Sequence, residues 1–139
     1  MLLGFEHVGF TSGDMDRTIA FYCGLLGLKL ALRKTVDSGE LAFLDAGGGM
    51  LEVVAPRAGA DRFRDVPLSE SGMRHLTFAF DSVDATFAKL EAAGVEIAER
   101  PRDAYNPEIV RRVAFVRDPD GVLVELIERA PGRQDISRR

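Results

Sequence analysis

Four side chains in this sequence are of the types and at the spacing that bind a metal. The two histidines of the chain sit in matching phrases, Phe5-Glu6-His7-Val8-Gly9-Phe10 and Met73-Arg74-His75-Leu76-Thr77-Phe78. Each is followed by a carboxylate inside an apolar run, Glu52 in Met50-Leu51-Glu52-Val53-Val54 and Glu125 in Leu123-Val124-Glu125-Leu126-Ile127. One His and one Glu at equivalent points of an internal repeat offer His7, Glu52, His75 and Glu125 to one divalent ion by pseudo-symmetry. Two imidazoles and two carboxylates leave two positions of an octahedron open to water or to adjacent substrate oxygens. Holding a hydroxyl and a neighbouring carbonyl there neutralises the charge of an enediolate as a C–H proton leaves. A carboxylate that can loosen from the ion then serves as the base and returns the proton to the next carbon.

Each residue also has a plainer explanation. A single strand histidine is commonly a packed or hydrogen-bonded core residue. A carboxylate in an apolar strand commonly pairs with an arginine, because a buried charge must be compensated. What favours coordination is that both histidines and both carboxylates occupy equivalent places.

The elements that must position these groups repeat as well. Residues 4–10 read as a first strand. Ser12 or Asp14 is a candidate cap for a helix from Asp16 to Leu26, with Ile19, Tyr22, Leu25 and Leu26 at helical spacing and Gly27 ending it. Leu28–Arg33, Leu41–Asp45 and Met50–Val54 read as strands joined by hairpins at Asp37-Ser38-Gly39 and Gly47-Gly48-Gly49. The second half follows the same order. A strand over Met73–Phe80 precedes an Asp81-Ser82 cap, a helix from about Val83 to Ala93 and a closing Gly94. The strands Val95–Glu99, Val110–Arg117 and Val122–Glu128 follow, the last two joined by the turn segment Asp118-Pro119-Asp120-Gly121. The expected fold is therefore α+β, two βαβββ modules at about 3–55 and 73–128. A linker at about 56–72 and a solvated tail at 129–139 complete the chain.

Strand parity carries the argument further. His7 lies opposite Val8 and Phe10, His75 lies opposite Leu76, Phe78 and Phe80, and both glutamates lie opposite their aliphatic neighbours. Curved sheets covered by helices on their convex faces would aim all four residues into one concave cleft.

Bulk properties bound the function. With 139 residues and 46% hydrophobic content, the chain is long enough to bury a core, and no apolar run approaches the ~18 residues of a membrane span. The N-terminus reaches Glu6 too early for a signal peptide. A lone Cys23 excludes an internal disulfide, reads as inert packing and fits a cytoplasmic setting. A net charge of −4 with scattered Lys and Arg argues against a nucleic-acid surface.

The order His7, Glu52, His75, Glu125 on paired βαβββ modules resembles the vicinal oxygen chelate (VOC) superfamily of glyoxalases, bleomycin-resistance proteins and extradiol dioxygenases. Residues 3–128 carry the likeness, within one domain spanning 1–139. Asp16-Arg17-Thr18-Ile19-Ala20-Phe21-Tyr22 with Leu26-Gly27-Leu28, and Phe115-Val116-Arg117-Asp118-Pro119-Asp120-Gly121 with Glu125-Leu126-Ile127-Glu128, look like short bacterial glyoxalase I. The resemblance implies a metal-dependent lyase or isomerase acting on a small molecule, the hemithioacetal of methylglyoxal and a thiol. Glu125 or Glu52 would shuttle the proton, and no separate organic cofactor is expected. It implies nickel or cobalt ahead of zinc, manganese or iron. A homodimer is expected, since open sheet edges invite pairing of modules.

The sequence departs from that family pattern at Thr11, where the bacterial enzyme has an arginine that helps hold a glutathione carboxylate. Arg33, Arg74, Arg111 and Arg112 are candidate substitutes. Two alternatives remain open at this level. Glu40, in Glu40-Leu41-Ala42-Phe43-Leu44, resembles the strand carrying a catalytic base in methylmalonyl-CoA epimerase. The other alternative is a protein that sequesters a drug or natural product, whose superfamily members generally lack the four ligands.

Overall fold

The computed structural model describes residues 1–133. They form two compact units, Met1–Arg62 and the stretch from Phe63 onward. The first contains β1 (His7–Thr11), α1 (Met15–Ile19), β2 (Lys29–Val36), β3 (Gly39–Asp45) and β4 (Met50–Pro56). The second contains β5 (Leu76–Ala79), α2 (Val83–Ala92), β6 (Ile97–Asp103), β7 (Val110–Arg117) and β8 (Leu123–Arg129). Each unit has one four-stranded mixed sheet, ordered β1-β4-β3-β2 and β5-β8-β7-β6, in which only the pairs β1/β4 and β5/β8 are parallel. This is the α+β repeat that the sequence predicts.

The local chemistry explains the elements. Asp14 caps α1 by accepting from the Arg17 amide at 3.1 Å. Ser12, the other candidate cap, instead accepts from the Asp14 amide and bonds the buried Thr18 hydroxyl at 2.6 Å. Ser82 caps α2 through the Ala85 amide. Gly27 and Gly94 end the helical segments at φ +90° and +80°, a region that a side chain disfavours.

In each unit the helical segment covers one sheet face. Phe21 and Tyr22 are buried, as are Ala42, Leu44, Leu51 and Val53, and Tyr22 stands against Phe10 at 5.8 Å between rings. Val83, Phe87 and Leu90 pack over Ala114, Val116, Val124 and Leu126. The covered side therefore holds the apolar half of each alternating strand. Glu128 belongs to that side too. Its Oε2 accepts from the Val83 amide at 2.8 Å and its Oε1 from Arg111.

Several boundaries differ from those expected, among them β6, which runs over Ile97–Asp103 rather than 95–99. Strand β1 begins at His7 rather than at 4, where its partner β4 begins at Met50, and β5 begins at Leu76, paired with Val124, rather than at 73, so His75 stands just ahead of β5. The first helix changes winding at Ala20–Leu25, a π-helical stretch in which the Leu26 amide reaches the Phe21 carbonyl. Arg129, expected in the tail, ends β8, and Arg133 is bonded to Ile109. The rest of the tail, from residue 134, lies outside the described residues. Pro56, expected in the linker, completes β4. Among the described residues no helix is long and apolar enough to cross a membrane.

Candidate metal centre

The face opposite each helical segment carries the predicted ligands. In the first unit His7 pairs with Met50 and Gly9 with Glu52, so the histidine and the glutamate two residues beyond its partner share a face. Their nearest atoms, Nε2 and Oε2, are 3.9 Å apart. Phe43, across from Glu52 on β3, meets the His7 ring edge-on at 5.5 Å. Gly9 leaves room for the carboxylate, since a Cβ there would stand 3.3 Å from Glu52 Oε1. Glu6 Oε1 lies 3.5 Å from His7 Nδ1.

The second unit repeats the arrangement with different neighbours. Thr77 pairs with Glu125, and His75 Nε2 lies 3.4 Å from Glu125 Oε2. The Thr77 hydroxyl hydrogen-bonds His75 Nδ1 at 3.0 Å, which leaves Nε2 directed at the glutamate. Phe115, across from Glu125, meets the His75 ring edge-on at 5.7 Å. The Glu125 side chain is 14% exposed against 36% for Glu52. Burial pushes the Glu125 carboxyl above the usual carboxylate range, with His75 and Arg102 pulling against that rise and Glu99 adding to it.

These donors suit a first-row divalent ion. Ligand bonds of about 2.0–2.2 Å let two donors on one ion stand up to roughly 4 Å apart, and both observed separations lie inside that limit. Each unit brings together one imidazole and one carboxylate. Among the described residues no group of three or more His, Cys, Asp or Glu could hold a metal ion, so the ligands come in twos.

The other candidate residues fall elsewhere. Glu40 pairs with Ala55, three residues on from Glu52, and so projects on the helix-covered side, where Arg33 binds it at 2.8 Å. Its parity rules out a role as base beside Glu52, which is the correction to the epimerase-like reading. Arg33 also binds Asp16, while Arg111 holds Glu128 and Arg112 holds Asp84 and Asp103. Three of the four candidate anion-binding arginines are thus engaged by carboxylates. Arg74 donates to the Val66 carbonyl at 3.2 Å. The exposed Thr11 ends β1 on the face of His7 and Gly9. Partial burial raises the Cys23 thiol above its ordinary value. Gly49, in the triple-glycine turn, lies beneath the Phe5 ring, where a Cβ would come within 2.5 Å of a ring carbon.

Two residues that the sequence reading passed over share the face of Glu125. Glu99 pairs with Phe115 and Arg102 with Val113, and the register shifts between them. Cross-strand partners project from one face, so this irregularity at Arg100-Pro101 brings both side chains to the side of Phe115 and Glu125. Simple alternation would have put them on opposite faces. The sequence expectation ended this strand at Glu99, two residues before Pro101, so neither Glu99 nor Arg102 stood out.

A family profile described as the Glyoxalase/Bleomycin resistance protein/Dioxygenase superfamily matches residues 4–126. The chain is 34% identical over 130 residues to a probable chloroplastic lactoylglutathione lyase of Arabidopsis thaliana, covering 90% of this chain and 35% of that protein. It is 31% identical over 127 residues to a probable lactoylglutathione lyase of Synechocystis sp., covering 88% of this chain and 92% of that one. Among solved structures, glyoxalase I from Zea mays superposes with a TM-score of 0.76 at 27% identity, over 91% of this chain and 45% of the maize protein. The chain belongs to the Glyoxalase/Bleomycin resistance protein/Dioxygenase superfamily.

Proposed function

We propose that this protein is a metal-dependent, glyoxalase-like isomerase that moves a proton between carbons adjoining a carbonyl. The observation carrying this reading is the repeated His–Glu pair, His7 with Glu52 and His75 with Glu125, each on the open face of its sheet with donor atoms within one ion's reach. This reading assigns His7, Glu52, His75 and Glu125 as ligands of a divalent ion, nickel or cobalt by likeness to the short bacterial enzymes. When bound, such an ion would neutralise the negative charge that grows on a carbonyl oxygen as a neighbouring proton leaves.

Proton movement falls to Glu125. Burial raises its proton affinity, as suits a group that takes a proton from carbon and gives it back. Thr77 steadies the His75 imidazole toward that carboxylate, and Phe115 meets the ring edge-on. Glu52, more exposed, is the weaker candidate for the proton and the stronger one for a permanent ligand. Two relatives carry the name lactoylglutathione lyase, which favours a hemithioacetal as substrate. Thr11 removes one glutathione contact, so we expect slow turnover of the glutathione adduct relative to other α-hydroxycarbonyl compounds. Because each sheet has open edges, at β1 and β2 and at β5 and β6, we propose that the protein is a homodimer.

Metal analysis of the protein purified without added metal tests the reading. One equivalent of a divalent ion is expected, and His75→Ala should reduce it sharply. Unchanged stoichiometry in that variant would sink the proposal. Light scattering at micromolar concentration should give twice the chain mass.

A further inference from the structure

Arg102 is held in an unusual way for a surface arginine. Its Nε donates to Glu99 Oε1 at 2.5 Å and its Nη1 to the Asp103 carbonyl at 3.1 Å, while Nη2 meets no acceptor among the described residues. The guanidinium lies over the Tyr105 ring at 4.0 Å from the centroid, which fixes its plane. Nε and Nη2 form one edge of the fork, the edge that binds a carboxylate through two parallel hydrogen bonds. Glu99 takes half of it. The bulge at Arg100-Pro101 puts Arg102 on the face of Glu125, and Phe115 is the cross-strand neighbour that Glu99 and Glu125 share.

We propose that Arg102 is the specificity-determining residue of this site, receiving an oxyanion on the substrate while Glu99 occupies the position until substrate arrives. The substrate class is then an anionic compound with an acidic C–H beside a carbonyl, its carboxylate or phosphate on Arg102 and its reacting carbon at Glu125. This rests on the isomerase reading for the reacting carbon, and on the Arg102 geometry alone for the charge. Glu99 and Arg102 are a partly exposed pair, with side chains 43% and 28% accessible, so exchange for a substrate anion costs little.

The test is a titration of the full-length protein with malonate, phosphonoacetate and the neutral isostere malonamide. Binding is followed by calorimetry and by the arginine Nε–H resonances. At least one anion should bind about ten-fold or more tightly than malonamide and shift the Arg102 resonance. Whichever of the two binds better distinguishes carboxylate from phosphate. Arg102→Gln should erase the preference, Arg102→Lys should restore part of it, and Glu99→Gln should raise anion affinity several-fold, a gain that misfolding cannot produce. Equal binding of malonamide, failure of every probe to bind, or an unchanged preference in Arg102→Gln would overturn the assignment. Deuterium exchange into substrate is scored separately. Its absence alongside Arg102-dependent binding would remove the isomerase reading and leave the anion site standing.

Discussion

The two units present the same row of positions across their sheets and fill it differently. In the first, Gly9, Glu52, Phe43 and Leu32 lie side by side from β1 to β2. In the second the row is Thr77, Glu125, Phe115 and Glu99. The glutamate and the phenylalanine that flanks the histidine are retained, while the outer positions change. Gly9 only makes room for a carboxylate, whereas Thr77 holds an imidazole by its second nitrogen. Leu32 ends the first row in an exposed aliphatic group, and Glu99 ends the second in a charge paired to Arg102. A duplicated frame can therefore keep its ligand geometry while one half specialises in proton transfer and substrate charge. Here the second unit has the more buried carboxylate, and burial pushes it above the usual carboxylate range.

That asymmetry can be broken most severely at the glutamates. Glu125→Gln should lower turnover by about 100-fold or more, the scale of a lost general base, with metal content much less affected. Glu52→Gln should show the reverse balance, losing metal more than turnover per bound ion. Equal effects from the two would show that the units had not diverged.

The histidine supports come next. Thr77→Val frees the His75 ring and should weaken metal binding by about ten-fold, the low end for a lost outer-shell partner. Gly9→Ala, which presses a Cβ on Glu52 Oε1, should cost only a few-fold, measured by metal competition with a chelator.

A third difference concerns stability. Glu128 is buried on the covered side of the second sheet, and Ala55 stands at the matching place in the first. The Val83 amide and Arg111 hold the Glu128 carboxyl below the usual carboxylate range. Its contribution is present above the ordinary value of about 4.3 and is lost as pH falls through the lower value in the folded chain. Glu128→Gln should cost about 1–3 kcal/mol at pH 7 by chemical denaturation. It should also remove that limb of the acid-unfolding curve. The smallest effect is expected at Glu40, where Glu40→Gln breaks an exposed pair with Arg33 and should change turnover less than two-fold. A large loss there would revive the epimerase-like chemistry.

Much of the site was legible because the signals were periodic. Strand alternation placed His7, Glu52 and Glu125 opposite their aliphatic neighbours, and Asp14, Ser82, Gly27 and Gly94 marked helix ends through their own backbone preferences. What escaped were departures from period. The π-helical winding at Ala20–Leu25 leaves no mark on apolar spacing over so few residues. Glu40 looked available until its pairing with Ala55 fixed its face. Arg102 was invisible because the apolar pattern of this strand stops at Glu99, and the bulge beside Pro101 then adds a residue that the partner strand does not match.

Bulges of this kind occur in both units, between Leu30 and Leu32 on β2 and on either side of Glu99 on β6. Both strands are sheet margins, bonded on one side only. A residue gained or lost there disturbs a single ladder and leaves the paired core strands untouched. Such a change nevertheless exchanges which side chains meet the ligand, because one step of register inverts every projection beyond it. Descendants of this scaffold thus have an inexpensive way to acquire new substrates, through length changes at the rim that spare the histidines and glutamates within.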